Sequence, residues 1–198
     1  MEAIITACDA EGWPAYVACV VSSKPEAVGL QFAAGANVLT AVVDPKSHES
    51  RERFEAALAE TIDAHGPDCV VLAGFMRVLS ESFVNRYADR MLNIHPSLLP
   101  AFAGLDTHSR ALAAGVRVHG ATVHFVSPIV DAGPIVAQAV VAVRADDTAD
   151  ALAARVLAAE HLLFPRAIEW FLSGRAVLTE GRVTLDAAIA SDALMVCA

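Results

Sequence analysis

The sequence predicts an α/β fold: a doubly wound, mostly parallel sheet with helices on both faces and a C-terminal antiparallel hairpin. Two observations carry this. Short Val-rich apolar runs alternate with helical patterns almost from end to end, the order expected of strands joined by crossover helices. The length, 198 residues, with 56% hydrophobic and 19% charged, suits one domain with ample material for a core. The whole chain, 1–198, therefore reads as a single domain, without internal repeats.

The chain opens in a helical segment whose apolar stripe is Ile4, Ile5 and Cys8, and no strand comes before it. Doubly wound sheets normally begin with a strand whose glycine-rich turn holds a phosphate at the helix N-terminus, and both are missing here. Strands are expected at 15–21, 38–42, 69–74, 91–95, 121–126 and 135–143, runs too short for helices. Between them, 50–65 carries Phe54, Leu58, Ile62 and His65 at helical spacing and stops at Gly66-Pro67. Residues 80–88 set Phe83, Val84 and Tyr87 on one face behind Ser80 as N-cap. A long helix starts near Thr148 and passes Leu152, Val156 and Leu163, and Pro165 predicts a kink or break in it. Residues 176–185 read as a hairpin turning at Glu180-Gly181, adding antiparallel strands at an edge, and 186–198 as a tail.

Composition narrows the function. With 14 Lys and Arg against 23 Asp and Glu, the formal charge is −9, and no basic run occurs, so a nucleic-acid backbone would be repelled. The longest apolar stretches, such as 134–143, fall short of the roughly 20 residues that span a bilayer, and the first residues lack the pattern of a signal peptide. Cys8, Cys19, Cys69 and Cys197 have no Cys-x-x-Cys spacing and read as reduced thiols, so the cytoplasm is the expected location. Seven histidines without metal-ligand spacing argue for no metal.

The densest chemical signal is 93–100. Asn93 and His95 lie two residues apart, on one face of a strand and at its carboxyl end, where open α/β sheets build their sites. An amide donor beside an imidazole can hold an oxyanion and transfer a proton; a histidine satisfied by loop backbone suits the same spacing. A second loop holds Asp131, flanked by Gly133 and Pro134. It is either an Asx-turn residue or, if it approaches His95, the group that orients the ring and favours its charged form. Glu160-His161 suits a solvated helix rim, and Arg51 and Arg77 suit surface ion pairs.

Together these segments carry a resemblance. Residues 72–80, 91–100, 104–108, 119–126 and 131–138 stand in the order and spacing of the phosphoribosylglycinamide formyltransferase family, and weaker similarity runs from 1 to about 182. The chain thus resembles enzymes that pass a formyl group from 10-formyltetrahydrofolate, as co-substrate, to the amine of glycinamide ribonucleotide in purine biosynthesis. The resemblance implies that Asn93 donates to the formyl oxygen, that His95 is the proton donor, and that Asp131 keeps His95 charged. For the folate it implies Arg51, Met76, Arg77, Val78, Leu79 and Asn93, with Ser127, Pro128, Ile129, Val130 and Asp131. For the ribonucleotide it implies Leu157 and Glu160. Residues 1–90 would form the ribonucleotide half and 91–185 the folate half of a monomer or homodimer acting on small molecules.

The sequence also departs from the family pattern. Leu157 replaces a polar residue and Asp106 a histidine seen in some members. The initial strand and its phosphate loop are missing, and we expect a start assigned too late or an incomplete chain; if the chain is native, the first helix N-terminus and the Met1 amine take over part of the anion site. The alternatives are a formyltetrahydrofolate hydrolase, in which water attacks, and a folate-binding remnant without turnover. Formylation of methionyl-transfer-RNA is disfavoured by the charge and by the lack of a second domain.

Overall fold

A computed structural model describes residues 1–197. The helices are α1 (Glu2–Ala10), α2 (Val28–Gly35), α3 (Arg51–Asp63), α4 (Glu81–Arg86), α5 (Thr107–Ala113) and α6 (Ala149–Leu172). The strands are β1 (Cys19–Ser22), β2 (Leu39–Val42), β3 (Val70–Leu72), β4 (Met91–His95), β5 (Val118–Phe125), β6 (Ile135–Ala142), β7 (Ala176–Thr179), β8 (Arg182–Leu185) and β9 (Leu194–Cys197).

Five strands form the main sheet in the order β3-β4-β5-β6-β9, while β1 and β2 pair separately. The β1–β2, β3–β4 and β6–β9 pairings are parallel, and β5 runs antiparallel to both β4 and β6. Parallel pairings thus predominate in these two sheets, with an antiparallel centre at β5. Helices lie on both faces, and the alternation along the strands shows how. Val70, Leu72 and Met91 join the core cluster of α3 and α4, whereas Val71, Leu92 and Ile94 join that of α1, α5 and α6.

Local signals place the helices. Ser50 accepts the Arg53 N–H at the start of α3, and Ser80 accepts the Phe83 N–H at the start of α4. Thr148 does the same for Ala151 at the head of α6.

Several expectations need correction. α6 is one helix through Pro165, not two. The ring leaves the His161 carbonyl without its usual N–H, but Leu163, Phe164, Ala167, Ile168 and Trp170 bury a continuous face around it and hold the helix together. The hairpin forms at Glu180-Gly181, both at positive φ as a tight two-residue turn requires, but it stands as its own two-stranded sheet. The sheet edge is taken by β9, within the expected tail, where Leu194–Cys197 pairs with Gln138–Val141. Strand 15–21 begins only at Cys19, and α2 and α5 were not anticipated. Among the described residues no helix is long and apolar enough to cross a membrane.

Candidate active site

β4 carries Asn93 and His95 to its C-terminal end, and β3 ends beside it with Leu72 opposite Asn93. The loop that follows β3 and the amide–imidazole pair therefore open on the same end of the sheet. β5 runs back along β4 and sets His124 opposite Asn93 and Thr122 opposite His95. The pairing of β5 with β6 shifts register between Val123 and His124, at the level of the site.

Asp131 arrives from the loop between β5 and β6. The loop folds tightly onto β5: a Cβ on Gly133 would lie 1.8 Å from the Phe125 carbonyl oxygen, so only glycine fits. Asp131 itself sits at φ 54°, a left-handed conformation that Asp tolerates better than most residues. Its Oδ2 accepts the Gly104 N–H at 2.8 Å and lies 3.3 Å from His95 Nδ1. The other ring nitrogen of His95 donates to the Phe102 carbonyl at 3.1 Å. Both nitrogens of His95 thus face acceptors, a setting that suits a ring carrying two N–H groups. To donate to a ligand, the ring must exchange the Phe102 carbonyl for the ligand atom.

His124 completes the cluster. Its Nδ1 lies 2.9 Å from the Phe125 carbonyl, which can only accept, so Nδ1 carries the proton and Nε2 presents a lone pair. Nε2 accepts from the Asn93 amide at 3.2 Å and stands 3.9 Å from Asp131 Oδ1. Burial pushes the His124 pKa down, against the opposing pull of the Phe125 carbonyl and Asp131, which keeps the ring neutral and able to accept. The Asn93 side chain is thereby oriented, with its second amide hydrogen left for a ligand.

The loop after β4 is held from beneath. The Thr122 hydroxyl donates to the Ser97 carbonyl at 2.7 Å and accepts the Leu99 N–H and the Gln138 amide, both at 3.0 Å. Gln138 also donates to the Leu99 carbonyl at 3.0 Å. Behind the loop, His119 packs edge-on to Phe102 and His108. Neither ring nitrogen of His119 has a hydrogen-bond partner. Burial, and then the neighbouring His108, push its pKa down to about 4, which the nearby Pro96 backbone offsets only in part.

The remaining candidates fall into three groups. Arg51, Met76, Arg77, Val78 and Leu79 line one cavity of about 300 Å³ with Phe54 and Glu55. There the Arg77 guanidinium lies 5.2 Å from the centre of the Phe54 ring, and Met76 and Val78 are exposed while Leu79 is buried in the core. Ile129 and Val130 are exposed on the Asp131 loop, and the Ser127 hydroxyl donates to the Ile129 carbonyl at 2.8 Å. Leu157 and Glu160 lie one turn apart on α6, and Leu157 is half exposed. The Glu160 carboxyl is pushed up to about 7 by burial, which the chain's first amine only partly offsets.

Sequence reasoning missed Glu55. This buried carboxylate accepts from Arg51 Nε at 2.9 Å, from the Ser80 N–H at 2.9 Å, and from the Ser80 hydroxyl. It ties the head of α3, where Arg51 stands, to the end of the 76–79 segment. Its Arg51–Glu55 spacing, i and i+4 on a helix, was the available signal. The roles of Thr122 and Gln138 carry no such local sign, because they meet only through the β5–β6 register.

The chain matches the formyl transferase family model over residues 1–168. It is 45% identical over 186 residues to the phosphoribosylglycinamide formyltransferase of Escherichia coli, covering 94% of this chain and 88% of that one. The crystal structure of glycinamide ribonucleotide transformylase 1 from Symbiobacterium toebii superposes with a TM-score of 0.89 at 46% identity, covering 93% and 87%. A formyltetrahydrofolate deformylase from Pseudomonas syringae has the same fold at a TM-score of 0.84, but at 27% identity, covering 92% of this chain and 60% of that chain. The transformylases thus stand nearer than the deformylase in both identity and extent. With its family-model match, its identity to the transformylases and their shared fold, this chain belongs to the phosphoribosylglycinamide formyltransferase family.

Proposed function

We propose that the chain transfers the formyl group of 10-formyltetrahydrofolate to the amine of glycinamide ribonucleotide, with Asn93, His95 and Asp131 as its catalytic residues. The observation that carries this reading is the cluster at the end of β4, where an oriented amide and a carboxylate-paired imidazole converge. The amine attacks the formyl carbon, and the carbonyl π electrons move to oxygen. The Asn93 N–H and the His95 ring then hold the oxyanion. The C–N10 bond breaks, N10 takes a proton, and the former amine loses one, so formyl and hydrogen change places. Asp131 balances an imidazolium at His95. Each preorganised donor of this kind contributes about 3–4 kcal/mol to the lowering of the barrier.

On this reading the cavity of Arg51, Met76, Arg77, Val78 and Leu79 and the 127–131 loop bind the folate, with the two guanidiniums drawing its acidic tail. Leu157 and Glu160 meet the ribonucleotide. The substrates are small molecules, no metal takes part, and the enzyme works in the cytoplasm as a monomer or homodimer. The test is formyl transfer with and without the amine acceptor. Acceptor-dependent turnover supports the transferase, whereas release of formate at the same rate without the acceptor overturns it in favour of hydrolysis. Folate binding with neither reaction leaves only a binding protein.

A further inference from the structure

Glu55 is a buried carboxylate in the lining of the cavity that holds Arg51 and Arg77. Its oxygens take the N–H and the hydroxyl of Ser80, so the group is anchored from a segment 25 residues along the chain. Arg51 donates to it through Nε alone, at 2.9 Å. Among the described residues, the two terminal nitrogens of that guanidinium have no hydrogen-bond partner. Arg77 lines the same cavity against the Phe54 ring and pairs with no carboxylate among those residues. The lining thus carries one positive charge in excess.

Helix stability does not account for the Arg51–Glu55 pair. Arg51 is the first residue of α3, where the partial positive charge of the helix end disfavours a cation. The order of the pair, base before acid at i and i+4, is the weaker of the two. The Glu55 side chain is 7% exposed and that of Arg51 46%, so a charge that is costly to bury holds one edge of a half-exposed guanidinium. A guanidinium gripped at Nε keeps its terminal nitrogens free, a fork that matches a carboxylate.

We propose that Glu55 is a positioning residue for the acidic tail of the folate: anchored by Ser80, it sets the Arg51 guanidinium so that the terminal nitrogens meet a tail carboxylate. This rests on the reading that the cavity takes the folate. Charge and positioning predict opposite signs for the loss of Glu55. A carboxylate beside a bound anion repels it, so on charge alone any neutral replacement strengthens binding of the tail. Through positioning, an apolar replacement weakens it, whereas a neutral side chain with an acceptor in the same place retains it. Glutamine is such a side chain, because one oxygen of Glu55, Oε1, takes both the Ser80 N–H and Arg51 Nε.

The test measures the Kd of two ligands on the full chain: tetrahydrofolate, and the same pterin and benzamide ending in a methylamide, without tail carboxylates. In the parent the acid is expected to bind about tenfold or more tighter than the amide. Glu55→Leu is expected to remove most of that preference while its affinity for the amide, which also reports folding, stays within about twofold, and Glu55→Gln is expected to keep or raise the preference. In the parent itself, exchange of the Arg51 Nε–H is expected to be slower than that of the Arg77 Nε–H by about tenfold, because only the first is bonded. An undiminished preference in Glu55→Leu, an equal loss in Glu55→Gln, or equal exchange at the two arginines overturns the proposal and leaves the folate reading standing. A parent that does not distinguish acid from amide overturns the reading of the cavity, and the proposal with it.

Discussion

Asn93 and His124 face each other across β4 and β5, with the amide nitrogen of one 3.2 Å from the ring nitrogen of the other. The ring accepts because the Phe125 carbonyl has already claimed its proton. Asn93 thus owes its orientation to a residue that need not touch substrate.

Removing that acceptor frees the amide to rotate. His124→Leu is expected to lower kcat by about tenfold to a hundredfold with a smaller change in KM, since a misplaced donor costs mainly the transition state. His124→Gln, whose carbonyl can accept in place of Nε2, should recover part of the loss. Steady-state kinetics of the two variants, with circular dichroism to verify folding, decide this; equal activity of His124→Leu and the parent would remove the positioning role.

Asp131→Asn keeps an oxygen for the Gly104 N–H but withdraws the negative charge 3.3 Å from His95. The expected result is a fall in kcat of about a hundredfold or more, with a much smaller loss of folate affinity. Calorimetric titration of folate alongside turnover separates the two effects.

Glu160 carries a pH signature. Its carboxyl, held at about 7 by burial, ionises across the neutral range, and only the carboxylate is a full acceptor for ribose hydroxyls. The KM for glycinamide ribonucleotide should fall as pH rises from 6 to 8 (about one unit on either side of that value), and Glu160→Gln should flatten the profile. Stability runs the other way. The folded group retains its proton where the unfolded one has lost it, so its contribution declines as pH rises from the ordinary 4.5 toward 7.

Glu55 shows the opposite sign. Burial opposes its charge, but bonds from Ser80 and Arg51 outweigh that and leave its pKa below 4.5. Its stabilisation is complete above the ordinary value and is lost as pH falls through the lower folded one. Glu55→Gln should cost about 1–3 kcal/mol at neutral pH, since it weakens charge-assisted bonds in a buried site. Urea unfolding at several pH values tests this, with the gap to the parent closing in acid.

The parts of the fold legible in sequence were those governed by local rules. The 50–65 helix showed its apolar stripe and its stop, and the Glu180-Gly181 turn showed its place. Met91–His95 was read to the residue. Pro165 misled because propensity yields to packing where a helix face is buried as fully as that of α6. β9 was invisible because its pairing with β6, Leu194 opposite Gln138, is made across the fold rather than along the chain. In the site, spacing alone brought out Asn93 and His95, the pairing of Asp131 with His95 stood as one of two readings, and the family resemblance favoured the one the structure displays. The role of His124 required the β4–β5 register, which no local pattern encodes.

Thr122 has one hydrogen to give and two lone pairs to offer, and all three are committed. The floor beneath His95 is therefore bolted to the central strands before any ligand arrives. Met76, Val78, Ile129 and Val130 by contrast stand with their apolar side chains uncovered, and under the proposed function fit to the folate falls to them. On that reading the site resembles a vice with one fixed jaw, the hydrogen-bonded floor under His95, and one jaw of uncovered side chains.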